Sequence, residues 1–269
     1  MPIPWSTRGI AWPTADSAAE CETEEFQINA LRISNPQLKS EKSSQFSLGA
    51  VWDVTPAISL KADYWNTKID NVINFVSAQT IVNRDNGDSA LPIPAGLSIR
   101  RDPATGAILQ IVAGSTNEGL LKYSGVDLSL VFSHRYSGLG SFKHDLTWSQ
   151  VVNATTDGID FNGTFGSPKA RATLANRWSI GNFEVNWNIN YIAKNGDRDG
   201  DFAGAYITHD VQASVKDLPL KGFKLAIGAV NAGSKYPALV GSPYDQKPFN
   251  YYLYDGYGAQ YYMRGEMKF

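Results

Sequence analysis

The sequence predicts an all-β protein, an antiparallel transmembrane β-barrel of which about nine strands are present. Three observations predict it. Apolar and polar residues alternate with period 2 from residue 44 to the end of the 269-residue chain. The alternating runs are about 10–15 residues long, where globular strands average about 5–6. The connections are short and long in turn, as when short turns lie on one side of a membrane and long loops on the other.

Residues 1–43 read as an irregular leader or the remnant of an extracellular loop. Pro2, Pro4 and Pro13 break regularity there, and Glu20-Cys21-Glu22-Thr23-Glu24-Glu25 is a solvated acidic run. Phe26–Ser34 is a candidate tenth strand that would permit closure. Residues 44–269 read as barrel. In 44–53, Phe46, Leu48 and Trp52 alternate with Gln45, Ser47 and Asp53. In 57–76, Ile58, Leu60 and Tyr64 alternate with Ser59, Lys61 and Asp63. Val126, Leu128, Leu130 and Phe132 make the third run, and Phe142, Leu146 and Trp148 the fourth. Ala170, Ala172, Leu174 and Trp178 follow in 169–179. The cleanest strand is 182–193, with Phe183, Val185, Trp187, Ile189 and Tyr191 opposite Glu184, Asn186, Asn188 and Asn190. Ile207, Val211 and Val215, then Phe223, Leu225 and Ile227, then Tyr261, Met263, Met267 and Phe269 complete the nine. Short turns fall at 55–56, 137–140, 180–181 and 217–222. Long loops occupy 77–107, 154–167, 194–205 and 231–258. Aromatic residues near strand ends, among them Trp52, Phe142, Trp178 and Phe183, suit interfacial girdles.

The charge balance is even, with 24 basic against 26 acidic residues. It gives no electrostatic footprint for nucleic acid. No run of about 18 apolar residues exists, so a transmembrane helix is not expected. The single Cys21 makes no internal disulfide, and a structural zinc site usually wants several Cys or His, where this chain has one Cys and three His. His134, His144 and His209 accompany no Gly-x-Ser-x-Gly or His-Glu-x-x-His spacing and read as interfacial side chains, so no enzyme is expected. Asp197-Arg198-Asp199-Gly200-Asp201 brings three carboxylates together. Its Gly stands at the fourth place rather than the sixth of a calcium loop, so it reads as a solvated acidic turn. No cofactor or metal is expected.

Several runs then point to one family. Asn35-Pro36-Gln37-Leu38-Lys39-Ser40-Glu41-Lys42-Ser43 precedes the first barrel strand, with Ser40 where the family usually has Pro. Leu60-Lys61-Ala62-Asp63-Tyr64-Trp65 leads to Ile69-Asp70-Asn71-Val72-Ile73, and Arg101-Asp102-Pro103-Ala104-Thr105-Gly106 is a loop turn. Asn117-Glu118-Gly119 precedes Gly125-Val126-Asp127-Leu128, and the chain ends in Phe269. In this order, over about residues 30–269, they resemble the C-terminal barrel portion of TonB-dependent outer-membrane receptors. One run departs from the pattern. Asn231-Ala232-Gly233 lacks the apolar pair usual after that asparagine.

The resemblance implies the outer membrane of a Gram-negative bacterium. It also implies energised uptake of a bulky nutrient: a siderophore–iron complex, vitamin B12 or an oligosaccharide. It implies a plug domain, a TonB-contacting box, a signal peptide and 22 strands. None of the first three is recognisable, so the chain is expected to be a fragment that does not transport alone, meeting the TonB system only through the missing plug region. The implied partners are outer-membrane lipid, the barrel-assembly machinery and an unidentified small molecule. Loop candidates for ligand contact are Arg100, Arg101 and Arg198, which suit anionic chelates, and Tyr244, Tyr251, Tyr252 and Tyr254, which suit stacking. Tyr261, Met263, Met267 and Phe269 form a terminal strand resembling the signal read during barrel assembly, where a backbone edge is offered by β-augmentation. Two other readings remain: a complete small barrel acting as a passive pore or structural protein, and a soluble β-rich carbohydrate-binding module.

Overall fold

The computed structural model describes residues 28–196, 201–217, 220–240 and 249–268. Cys21, Arg198, Tyr244, Phe269 and most of the acidic turn at 197–201 lie outside them. The strands are β1 (Ala30–Ile33), β2 (Lys42–Thr55), β3 (Ile58–Asp70), β4 (Ile73–Val76), β5 (Ser98–Arg101), β6 (Ile108–Asn117), β7 (Leu120–Tyr136) and β8 (Gly140–Thr156). They continue as β9 (Ile159–Asp160), β10 (Ala170–Ile180), β11 (Phe183–Ile192), β12 (Asn195–Gly196), β13 (Phe202–Ala203), β14 (Tyr206–Lys216), β15 (Phe223–Val230) and β16 (Gln260–Met267). Among the described residues one helix, α1 (Ala78–Asp85), lies between β4 and β5.

The chain forms two compact units. Among described residues, one is 28–43 with 69–120, and the other is 44–68 with 121 onward. The larger unit carries the barrel sheet, in the order β16-β15-β14-β11-β10-β8-β7-β3-β2, with the short β9 added beside β8. These nine path strands are the nine alternating runs of the sequence. β7 and β8 each have 17 residues. About 9–11 tilted residues cross a bilayer, so both extend beyond one. The sheet is unclosed among the described residues, since β2 and β16 each have a single neighbour.

Alternation places the side chains inside out relative to a soluble sheet. On the apolar face Phe183 is 56% and Trp187 44% exposed, while the Glu184 side chain on the polar face is 17% exposed. The polar face is knitted across strands. The Thr173 hydroxyl donates to Asn190 Oδ1 at 3.2 Å, and Asn190 Nδ2 donates to Asp210 at 2.8 Å. Arg177 Nε donates to Asn186 at 3.1 Å, and the Ser149 hydroxyl donates to Asp127. A soluble module would hide the apolar side; this sheet leaves it exposed.

The tight connections follow turn chemistry. Gly181 opens the two-residue β10–β11 turn at φ +52°, the positive value that hairpin turns favour there. At the β7–β8 turn the Trp178 indole donates to the Leu139 carbonyl at 2.7 Å. Beside it Phe132, His134, Phe142 and His144 stack in a ladder, with centroids 4.8–5.9 Å apart. In β15, Gly228 leaves room for the Tyr262 ring of β16, whose hydroxyl donates to Gln212 at 2.9 Å. A Cβ on Gly228 would lie 2.5 Å from Tyr262 Cζ and 2.8 Å from the Val211 carbonyl oxygen.

The smaller unit corrects three expectations. Residues 57–76 are two strands, because Asn71 turns the chain at φ +58° and Ile73–Val76 joins another sheet. Residues 77–107 are structured. Ser77 caps α1 by accepting the Thr80 N–H, and Ile81 and Val82 pack on Val76, Leu97, Ile111 and Ala113. The tenth-strand candidate contains β1, but β1 pairs parallel with β6 in this small sheet and closes nothing. Arg84 holds Glu118 through two hydrogen bonds of 3.0 and 2.8 Å, with its side chain 6% exposed.

Gly228→Val is expected to displace Tyr262 and lower stability by about 1–3 kcal/mol, the usual range for overpacking. Urea unfolding of the lipid-reconstituted protein measures it, and Gly265→Ala, with Phe223 atoms no nearer than 3.6 Å to the new Cβ, should be milder.

Candidate functional site

The long connections of the larger unit gather at one end of the sheet, and two asparagines organise them. Asn195 in β12 is 1% exposed. Its Nδ2 donates to the Tyr254 hydroxyl oxygen at 2.7 Å and to the Ala193 carbonyl at 3.3 Å, and its Oδ1 accepts the Gly166 N–H at 2.9 Å. Asn231 follows β15 at φ +49°, a conformation that asparagine tolerates better than most residues. Its N–H donates to Asp210, its Nδ2 to the carbonyls of Lys235 and Tyr257, and its Oδ1 accepts the Lys235 N–H. One side chain thereby fixes both ends of the β15–β16 loop.

Around Asn195 lies a small aromatic core. Tyr254 is 6% exposed and meets Tyr206 edge-on at 5.1 Å. Ala203, Phe165, Ile192, Phe249 and Leu253 fill in around them, and the Tyr206 hydroxyl donates to the Lys235 carbonyl at 3.0 Å. Tyr254 is therefore a structural pin of the loop. Tyr252 is 97% exposed, and Tyr251 lies against Phe249 at 4.2 Å. With the exposed Tyr236 and Tyr257, these rings give the loop an open aromatic surface. The terminal-strand candidates Tyr261, Met263 and Met267 are exposed on the apolar face.

Arg100 and Arg101 belong to the other unit and differ from each other. Arg101 donates to Asp85 at 2.7 Å, Asn86 at 3.0 Å and the Gly106 carbonyl at 3.1 Å, so it clamps the loop. Arg100 is exposed and makes no side-chain hydrogen bond or ion pair among the described residues, leaving it as the open cation of the pair. Next to them the Asp102 carboxylate accepts the N–H groups of Ala104 and Thr105, which hold its pKa below the usual aspartate value.

The polar face of the sheet lines a groove of about 490 Å³, with Lys143, Arg177 and Lys224 interspersed among Asp145, Glu184 and Asp210. The histidines lie outside it. His144 Nδ1 is 2.7 Å from Asn176 Oδ1, and His209 Nδ1 accepts the Trp187 indole N–H at 3.2 Å. Among the described residues no group of three or more His, Cys, Asp or Glu side chains could hold a metal ion.

With this geometry in place, the comparisons agree. The sequence profile of the TonB dependent receptor-like β-barrel family matches residues 11–232. The chain belongs to that family, whose members are outer-membrane receptors and transporters rather than enzymes, and its place is the Gram-negative outer membrane. Similar solved structures include the siderophore receptor PirA from Acinetobacter baumannii, with TM-score 0.62 and 12% identity over 88% of this chain and 33% of that one. The outer membrane transporter YddB from Escherichia coli gives 0.60 and 12% over 91% and 35%. A Pseudomonas aeruginosa ferric enterobactin receptor mutant, in complex with enterobactin, gives 0.58 and 13% over 87% and 32%. The chain spans about one third of the length of these proteins. A search of curated protein sequences gave no match.

Asn195→Ala would remove the acceptor of the half-buried Gly166 N–H and deprive the Tyr254 hydroxyl of its donor. A loss of about 1–3 kcal/mol is expected, read as a lower urea midpoint and faster protease nicking near residues 249–258. The Asp102 turn has a pH signature of its own. Because its pKa is lowered on folding, its stabilisation is complete above the ordinary value near 3.8 and is lost as pH falls through the lowered one. Amide protection at Ala104 and Thr105 should be level above pH about 4 and fall below it, and Asp102→Asn should remove that pH dependence.

Proposed function

We propose that this chain supplies nine consecutive strands and the loops of a larger TonB-dependent receptor barrel, which takes up a bulky nutrient. The single observation that carries the reading is the unclosed antiparallel sheet whose apolar face is exposed and whose polar face lines a groove. An open edge in hydrocarbon leaves backbone groups unpaired at several kcal/mol each, so β2 and β16 call for further strands. The mixed charges of the groove suit a polar surface that packs on a plug. The exposed Tyr251, Tyr252 and Arg100, with Tyr244 and Arg198, are the proposed ligand contacts. The exposed tyrosines of the larger unit suit stacking on a chelate of the siderophore class, and Arg100 is a separate cationic contact of the smaller unit. Tyr254 and Arg101 act instead by holding their loops.

The apolar face is the lipid face in this reading. Ile189→Arg, near the bilayer midplane, should cost about 2–4 kcal/mol, and Asn188→Arg on the polar face should be mild. Spin labels at both positions in the assembled receptor should report lipid-like accessibility at 189 and water-like accessibility at 188. Equal water access at both would overturn the assignment.

Uptake is tested by binding a panel of ferric siderophores, cyanocobalamin and maltodextrins to cells that carry the assembled receptor. One member should bind, and Tyr252→Ala should weaken it about tenfold, the scale of one stacking contact. The isolated chain in liposomes should show neither uptake nor uniform channels, whereas stable channels would favour a small self-closing pore. The terminal strand is the proposed assembly signal. Changing Phe269 to Ser should slow appearance of the heat-modifiable folded band more than the same change at Lys268.

A further inference from the structure

A cavity of about 310 Å³ lies on the polar face of the larger unit, at the end that carries the short turns. Six polar side chains of β7, β8 and β10 line it: Ser133, Arg135, Ser141, Lys143, Arg177 and Ser179. They stand in two rows of the ladder. Ser133 faces Lys143, which faces Arg177. Arg135 faces Ser141, which faces Ser179. His134 and Phe142 complete the lining; they belong to the alternation set of the apolar face and stack on each other. The cavity adjoins the groove, with which it shares Lys143 and Arg177.

The charges in these rows work against the sheet. Lys143 is directly opposite Arg177, a placement in which like charges on neighbouring strands are destabilising. Arg135 stands one row nearer the turn, on the strand at the other side of β8. Lys143 and Arg135 are exposed and make no ion pair or side-chain hydrogen bond among the described residues. Asp145 follows Lys143 by two residues on the same face and forms no ion pair with it. Arg177 alone has a carboxylate near it, the Glu184 oxygen 3.9 Å from Nε, which is beyond hydrogen-bond length. Past Glu184 the positive charge resumes, with Lys216 opposite Lys224 and Glu266 beside the latter.

The hydroxyls are unspent as well. The side chains of Ser133, Ser141 and Ser179 make no hydrogen bond among the described residues. The same face behaves differently toward the long connections. There Thr173, Asn190 and Asp210 bond one another across strands, and Ser149 bonds Asp127. Donors are consumed at that end and left over at this one. An oxyanion seated between Lys143 and Arg177 would turn their repulsion into attraction. A guanidinium fork takes two oxygens, an ammonium a third, and hydroxyls the remainder. A diphosphate, with several charges and many acceptor oxygens, engages all six side chains. A lone carboxylate leaves most of them unused. The positive field of this end also favours entry of an anion.

We propose that this cavity is a binding site for a small polyvalent oxyanion of the diphosphate class, held by Arg135, Lys143 and Arg177 with the three serine hydroxyls. The anion chemistry rests on these side chains alone. The proposed function adds only the place of the site, at the short-turn mouth of the lumen.

The test is isothermal titration of the full chain in detergent micelles with inorganic pyrophosphate, with acetate and with a hexaglutamate peptide, at constant ionic strength. One pyrophosphate per chain is expected, with acetate held roughly tenfold more weakly or worse. Lys143→Gln and Arg135→Gln, neither of which removes a bond of the folded chain, should each weaken pyrophosphate about tenfold. Without anion, Lys143→Gln should keep or raise the urea midpoint, because it takes a like charge away from Arg177. Its lost binding is then not lost folding. Arg171→Gln, at the other end of β10 on the same face, should bind as the unaltered chain does. Tighter binding of the peptide than of pyrophosphate overturns the diphosphate assignment. Acetate binding as tightly as pyrophosphate, full affinity in the Lys143 and Arg135 variants, or an equal loss from Arg171→Gln overturns the site. Lipid-like labelling at 189 with no pyrophosphate bound would remove this site alone and leave the barrel reading standing. Pyrophosphate bound with equal water access at 188 and 189 would do the reverse.

Discussion

Every backbone N–H and C=O that enters hydrocarbon must find a partner within the protein, and this constraint shapes the larger unit from end to end. It explains why the strands run without a break, with ladders of ten paired residues between β10 and β11 and again between β11 and β14. It also explains why irregular backbone is pushed to the two ends, where water is available. With the backbone satisfied by the ladder, side chains are free to divide by solvent. Phe183, Trp187 and Met263 go to one side, and Glu184, Asn190 and Asp210 to the other.

The polar side has a second use. Asn and Thr side chains there bridge neighbouring strands, as in the Thr173–Asn190–Asp210 chain, and add cross-strand order where no apolar core exists to lock the register. The loops follow similar logic. A loop that stands away from a core loses conformational entropy on ordering and needs compensation. Asn195 and Asn231 supply it through six side-chain hydrogen bonds between them. The few buried apolar groups, Tyr206, Tyr254 and Ala203, gather where those bonds converge.

The barrel strands were legible in the sequence because alternation is a local signal, readable wherever a strand has one wet and one apolar face. All nine were found, though β7 and β8 run further than their apolar sets showed, since their outer turns carry Tyr123, Ser124 and Asn153 rather than clear alternation. The smaller unit was not legible. Its strands are four to ten residues long and its one helix eight, and β1 finds its partner 81 residues away, Ala30 opposite Ile111. No local pattern carries such a pairing. For the candidate site, the tyrosines of the last loop were visible as composition, but composition could not tell the pinned Tyr254 from the bare Tyr252. Asn231 registered as a missing apolar pair, when its work lies in its own amide. The arginines could not be separated either, because Arg101 finds Asp85 through the fold of α1.

The segment between β3 and β7 begins and ends at one place. Val72 N–H donates to the Gly119 carbonyl at 3.1 Å, so some fifty residues leave and return through adjoining backbone positions. Inside that closure the segment has its own apolar core, its own capped helix and its own Arg84–Glu118 pair. It is a cassette. Changes within it that keep the Val72–Gly119 closure and the pairing of β1 with β6 leave the spacing of its two stems unchanged.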